Sequence, residues 1–241
     1  MENGIYIGLS RQISLQQRMD LVSNNIANMN TPGFKSEHML FVEKVVQPDR
    51  KLEPMSFVLD YGQFRTTSQG PLEYTQNPFD VALEGPGFFE IETPDGPRYT
   101  RAGNFKLNHE NELVNVNGQP VLDDGGARIT IPQTAKGITV GENGSILSTE
   151  GEIAKLKIAE FENSQNMEPI GGGLFKANEE PIDPIATRAI QGALEKSNVN
   201  GVTGMTEMIE VSRQYQSTAR MLQNEHDRLR ATIRKLSESQ S

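Results

Sequence analysis

SNNIANMNTPGFK, residues 23–35, joins two conflicting signals. Val22 before it, and Ile26 and Met29 inside it, carry a helical apolar rhythm. Yet the stretch holds Asn24, Asn25, Asn28 and Asn30 and runs into Thr31-Pro32-Gly33. Proline lacks the amide hydrogen a helix needs and pushes the residue before it toward extended geometry. Glycine readily takes positive φ, and asparagine side chains compete for backbone groups near a helix end. Asn28, Thr31, Pro32 and Gly33 are therefore expected to stop a helix, with Phe34 anchoring the exit. Asn24, Asn25 and Asn28 either cap that end locally or bond to neighbouring chains.

Upstream, Ile5, Gln12, Met19 and Ile26 form one heptad column, and Gly8, Leu15, Val22 and Met29 the other. Leu15, Met19, Val22, Ile26 and Met29 follow one another at alternating spacings of four and three. That is a narrow seam rather than a broad stripe. The C-terminal region repeats the pattern. Met205, Ser212, Ala219, His226 and Ile233 take one column, and Met208, Tyr215, Leu222, Leu229 and Leu236 the other. Neither helix has a second apolar face, so neither can bury its seam alone. Each must pair with the other, with copies of itself or with related chains. With 35% hydrophobic and 6% aromatic residues and no tryptophan, the chain has little else to build one large core. The seam residues Leu15, Met19, Val22, Ile26, Met29, Met208, Tyr215, Leu222, Leu229 and Leu236 are the expected assembly contacts.

The middle has another texture. GFFEIET, RYTRAGNFKLN, ELVNVNGQPVLD, RITIP, ITVGENGSILS and AKLKIAEFE are short runs of β-forming residues broken by Gly, Pro and Asn-Gly. Asn117-Gly118 and Asn143-Gly144 suit tight hairpin turns. The expected class is α+β: terminal helices forming a coiled-coil layer, with a central antiparallel β-rich domain. The expected divisions are 1–35 for the N-terminal helix and its stop, and 36–73 for an irregular connector with one strand. Residues 74–190 form the β-rich domain and 191–241 the C-terminal helix.

Charge narrows the function. The net charge is −9, but residues 1–40 are neutral and 201–241 carry +1, so residues 41–200 hold −10. An acidic, aromatic-poor middle argues against nucleic-acid binding. Without cysteine there is neither a disulfide nor a thiolate site. No stretch has the length of a membrane-spanning helix, and the start, MENGIYIGLSRQ, lacks a cleavable signal pattern. No HExxH, P-loop or GxSxG is present. His38, His109 and His226 are far apart in sequence. Asp123-Asp124-Gly125 and Gly171 to Gly173 read as turns rather than metal or anion sites. No catalytic residue, cofactor or metal ligand is expected, and the chain is not expected to be an enzyme.

Three stretches in order resemble motifs of the flagellar rod and hook axial proteins: SNNIANMNTPGFK, then DVALEGPGFFEIETPDGPRYTRAGNFKLNHENELVNVNGQPVL, then GALEKSNVNGVTGMTEMIEVSRQYQ. GIYIGLSRQISLQQRMDLVSNNIAN and SQGPLEYTQNPFDVALEGPGFF are more similar to the proximal-rod type than to the distal-rod type. TPGFK has Pro where many relatives have a second Thr. The resemblance implies a structural subunit of the basal-body rod, in the periplasm. Its implied partners are copies of itself, other rod subunits and the flagellar type III export apparatus, which would export it uncleaved. The end helices would form an inner coiled-coil layer and the β-rich domain an outer one. The rival readings are a coiled-coil scaffold or adhesin-like protein outside the flagellum, and a cell-wall hydrolase.

Overall fold

A computed structural model describes residues 2–46 and 55–238 of the chain. They fall into two units, each discontinuous in sequence. One gathers Met1–Ala27, Glu37–Phe64 and Asn200–Ser241; the other gathers Asn28–Ser36 and Arg65–Val199. The first unit brings together segments from both ends of the sequence.

The first unit contains the terminal helices α1 (Glu2–Ala27) and α2 (Gly201–Glu238). They lie side by side and antiparallel. Gly8 faces Leu222 and Gly204 faces Ile26, while Arg18 pairs with Glu207 at 2.7 Å. A Cβ on Gly8 would come within 2.7 Å of the Leu222 Cδ2, so the missing side chain is what lets the leucine in. Leu15, Leu21 and Val22 are buried on α1, and Val211 and Thr218 on α2. Asn200 caps α2, its Oδ1 accepting from the backbone N–H groups of Val202 and Thr203 at 3.0 and 3.1 Å.

Two expectations need correction here. The inner column of α2 is Gly204, Val211, Thr218 and Glu225, one residue away from the column read from the sequence, and His226 is exposed. Residues 36–73 are not one strand in an irregular connector. They contain two long strands, β1 (Glu37–Val46) and β2 (Met55–Arg65), which pair with each other. Both are rich in β-branched and aromatic residues, which suit a pleated ribbon. Pro48 and Pro54, on which the irregular reading leaned, lie outside the described residues.

The second unit is built on an antiparallel five-stranded sheet. Its order is Ile158–Ala159, Phe88–Thr93, Gly96–Thr100, Leu174–Lys176 and Glu168–Gly171. Phe88 and Phe89 are adjacent in a strand, so they point to opposite faces. Phe89 and Ile91 enter a core with Leu83, Phe105, Val121, Ile146 and Leu156. Phe88 packs on the other face with Tyr99, Phe161, Met167 and Phe175. Both expected Asn-Gly turns are present, with Gly118 at φ +81° and Gly144 at φ +83°.

Candidate functional site: a buried charge node

The residues directly after α1 form a turn. α1 ends at Ala27, so Met29 lies in the turn beyond the helix and not on the seam. Thr31 N–H donates to the Asn28 carbonyl at 3.1 Å, and the Thr31 hydroxyl lies 3.1 Å from Asn28 Oδ1. Gly33 has φ +71°. Asn25, which is buried, closes a clasp inside the first unit. Its Nδ2 donates to the Glu37 carbonyl at 2.7 Å, and its Oδ1 accepts from the Glu37 N–H at 3.0 Å. Both bonds lie within the chain, and neither caps the end of α1.

Beyond the stop, three distant charged side chains converge. Lys35 follows Phe34, Arg101 follows the strand Gly96–Thr100, and Glu195 ends the strand Ala193–Glu195. Lys35 Nζ contacts Glu195 Oε1, and Arg101 Nε and Nη2 reach Oε2 at 2.9 and 2.7 Å. The side chains of Lys35, Arg101 and Glu195 are 6%, 3% and 0% exposed. A carboxylate so deep in the protein needs its lone pairs filled. The Gly70 N–H supplies a further donor to Oε1 at 3.0 Å.

The cations are satisfied as well. Lys35 donates to the Ser68 carbonyl at 2.9 Å. Arg101 reaches the carbonyls of Leu83, Gly85 and Gly87. Burial pushes the Lys35 ammonium below the usual lysine range. The bond to Glu195 opposes this, and the Arg101 charge adds to it.

Backbone bonds tie the same segments together. Gly33 N–H donates to the Glu195 carbonyl at 2.8 Å. Asn198 accepts from the Ser36 N–H at 2.7 Å and donates to the carbonyls of Thr66 and Ser68 at 3.0 and 3.1 Å. The node thus locks the entry segment Asn28–Ser36, the segment after β2 and the exit segment before α2. A buried ion pair is weak evidence for net stability, but its removal in part is costly. Here it joins Glu195 to side chains 94 and 160 residues away in the sequence.

Among the expected assembly residues, Leu15 and Val22 are buried. Met19, Ile26, Met208, Tyr215, Leu222 and Leu229 are half-buried in the first unit. Leu236 lies on α2, but its side chain falls outside the described residues. Asp123-Asp124-Gly125 is a turn: Asp123 Oδ1 accepts from the Ala127 N–H at 2.7 Å, and Asp124 pairs with Lys155. No group of potential metal ligands occurs among the described residues. Nor is any described helix long and apolar enough to cross a membrane.

The members of the node were missed from the sequence. The one available signal was alternation, since Ala193 and Glu195 share a face of their strand and both are buried.

Known families cover the three charged residues of the node. The flagellar basal-body rod protein family matches residues 5–35, which end on Lys35. The flagellar hook protein FlgE/F/G D1 domain matches residues 82–148, which contain Arg101. The flagellar basal-body rod FlgEFG C-terminal family matches residues 190–235, which contain Glu195. The chain is 37% identical to the basal-body rod protein FlgF of Caulobacter vibrioides, with 98% of each chain covered. It is 34% identical to FlgF of Rhizobium meliloti, again over 98% of each. Against the basal-body rod protein FlgG of Bacillus subtilis it is 32% identical, over 92% of this chain and 94% of the other.

The chain therefore belongs to the flagellar basal-body rod proteins, and to their FlgF type. It is a structural subunit of the flagellar basal-body rod.

Proposed function

We propose that this subunit builds the proximal part of the rod by helical self-assembly through α1 and α2, and that it transmits motor torque. The observation that carries the reading is the antiparallel pairing of the first and last helices into a unit distinct from the β-rich one. Paired helices aligned along a shaft resist twisting better than a string of globules. In this reading the helices form an inner coiled-coil layer, with Leu15, Met19, Val22, Ile26, Met208, Tyr215, Leu222, Leu229 and Leu236 as its packing residues. Met29 belongs with the stop motif instead. The β-rich unit forms the outer layer. The charge node ties its entry and exit segments to one sheet, so that load entering on either segment spreads through the unit. The partners are copies of this chain, other rod subunits and the flagellar type III export apparatus. Support for the last is membership of the rod family.

Leu222 tests the helix pairing. It packs against Gly8, so Leu222→Asp sets a carboxylate into that apolar contact, at a cost of roughly 2–5 kcal/mol to the helix pair. Cells carrying only this variant are expected to be non-motile, while the purified protein keeps the β-rich unit's near-ultraviolet circular dichroism. Full motility with Leu222→Asp would remove the helix pair from the assembly contact.

A further inference from the structure

Lys35 and Arg101 of the charge node also line a cavity that the rod reading leaves without a role. Its volume is about 300 Å³, at the lower end of the range for small-molecule sites. All of its lining residues belong to the second unit.

Part of the lining is aromatic. Phe88, Phe161 and Phe175 are buried there, and Phe88 meets the other two edge to face, with ring centres 6.0 and 5.9 Å apart. Lys35, Arg65 and Arg101 supply positive charge. The Arg65 guanidinium lies over the Phe175 ring, 4.4 Å from its centre. The acidic side chain among the described lining residues is Glu162, which is exposed.

The charges do not balance. Arg65 and Glu162 offset each other, but Lys35 and Arg101 share the single carboxylate of Glu195. One buried positive charge is left over, and a buried charge without a counterpart is costly. The donors are unequal as well. Arg101 directs its guanidinium to Glu195 and to the carbonyls of Leu83, Gly85 and Gly87. Lys35 donates to Glu195 and to the Ser68 carbonyl. An ammonium has three donors, so one remains, on a side chain that is 6% exposed.

We propose that this cavity binds a small organic acid. Its carboxylate takes the third Lys35 donor, and its flat apolar body packs against Phe88, Phe161 and Phe175. A single negative charge matches the single unmatched cation, whereas a phosphate monoester carries about −1.5 to −2. The bound carboxylate gives the node its second counter-charge. The proposal goes beyond the rod reading and does not depend on it.

Phenylacetate is the probe, titrated into the purified full-length chain by isothermal calorimetry. The expected result is saturable binding, with a rise in the Tm of the β-rich unit that grows with phenylacetate concentration. Phenylacetamide keeps the ring and loses the charge; acetate keeps the charge and loses the ring. Each is expected to bind at least about tenfold more weakly. Thr67 is an exposed lining residue outside the node. Thr67→Trp is expected to fill the cavity and abolish binding while leaving the Tm of the unliganded chain unchanged. Where that variant disturbs the fold, Ser164→Trp, also in the lining, takes its place. No saturable binding of phenylacetate at millimolar concentration would overturn the proposal. So would equal binding of phenylacetamide, or binding undiminished by the tryptophan. All three results would leave the rod reading intact.

Discussion

Glu195→Gln is expected to be the most damaging single substitution in the β-rich unit, lowering its unfolding free energy by about 3–5 kcal/mol. The shape of the residue is kept, but two buried cations lose their shared counter-charge, since Lys35 and Arg101 both pair with this carboxylate. The guanidinium cannot shed its proton to escape, whereas the ammonium can. Burial already holds Lys35 below the ordinary lysine range against the opposing pull of Glu195, so removing that pull lowers it further.

The consequence for pH follows. Between the folded and unfolded pKa of Lys35 the unfolded chain binds more protons, so stability rises with pH through that window. Losing Glu195 widens the window downward. The variant's deficit should therefore narrow as pH climbs through the depressed Lys35 pKa. Urea unfolding of both proteins across a pH series checks this. A deficit below about 1 kcal/mol, the range of an exposed pair, would mean that the node does not hold the unit together.

Gly33→Ala should come second, at roughly 2–5 kcal/mol. About 1–2 of that is the cost of a left-handed backbone for a residue with a Cβ, and the rest is overpacking. With φ at +71°, the new methyl would lie 2.5 Å from the Arg101 carbonyl carbon and 2.6 Å from the Ala102 nitrogen. Both are backbone atoms, so neither can swing aside. Segment 28–36 must back away, and the bond from Gly33 to the Glu195 carbonyl opens with it. Gly118→Ala is the matched control: φ there is +81° and nothing lies within 4 Å of the added carbon. It should cost only the backbone share. Equal losses at the two glycines, measured by thermal unfolding, would show that the close approach at Gly33 is relieved without cost.

Local chemistry made part of this structure readable from sequence. The stop at Thr31-Pro32-Gly33 depends on proline and glycine, whose backbone limits hold in any context. The Leu15–Val22 column and the Met208–Tyr215–Leu222–Leu229 column were readable because helical periodicity repeats. The second column of α2 was displaced by one residue for an equally physical reason. Met205 and Ile233 are apolar and so invite assignment to the core, but they are exposed, while Thr218 is buried.

The β1–β2 ribbon was missed because Pro48 and Pro54, between the two runs in the sequence, drew attention away from good β-formers on either side. The charge node was hidden more deeply. A lysine, an arginine and a glutamate in polar surroundings read as solvated until the fold joins positions 35, 101 and 195. Each family match supplies one of them, which no single stretch could reveal.

Limited proteolysis of the dilute purified protein, with intact fragment masses, tests most directly whether the node defines the unit. The node predicts that cleavage strips α1 and α2 and leaves a resistant core in which residues near 28–36 and near 193–199 remain bound alongside Arg101, even when the chain is nicked between them. A resistant core that begins after residue 65, or that ends before Glu195, would contradict it: the entry and exit segments would then be released while the sheet stayed folded.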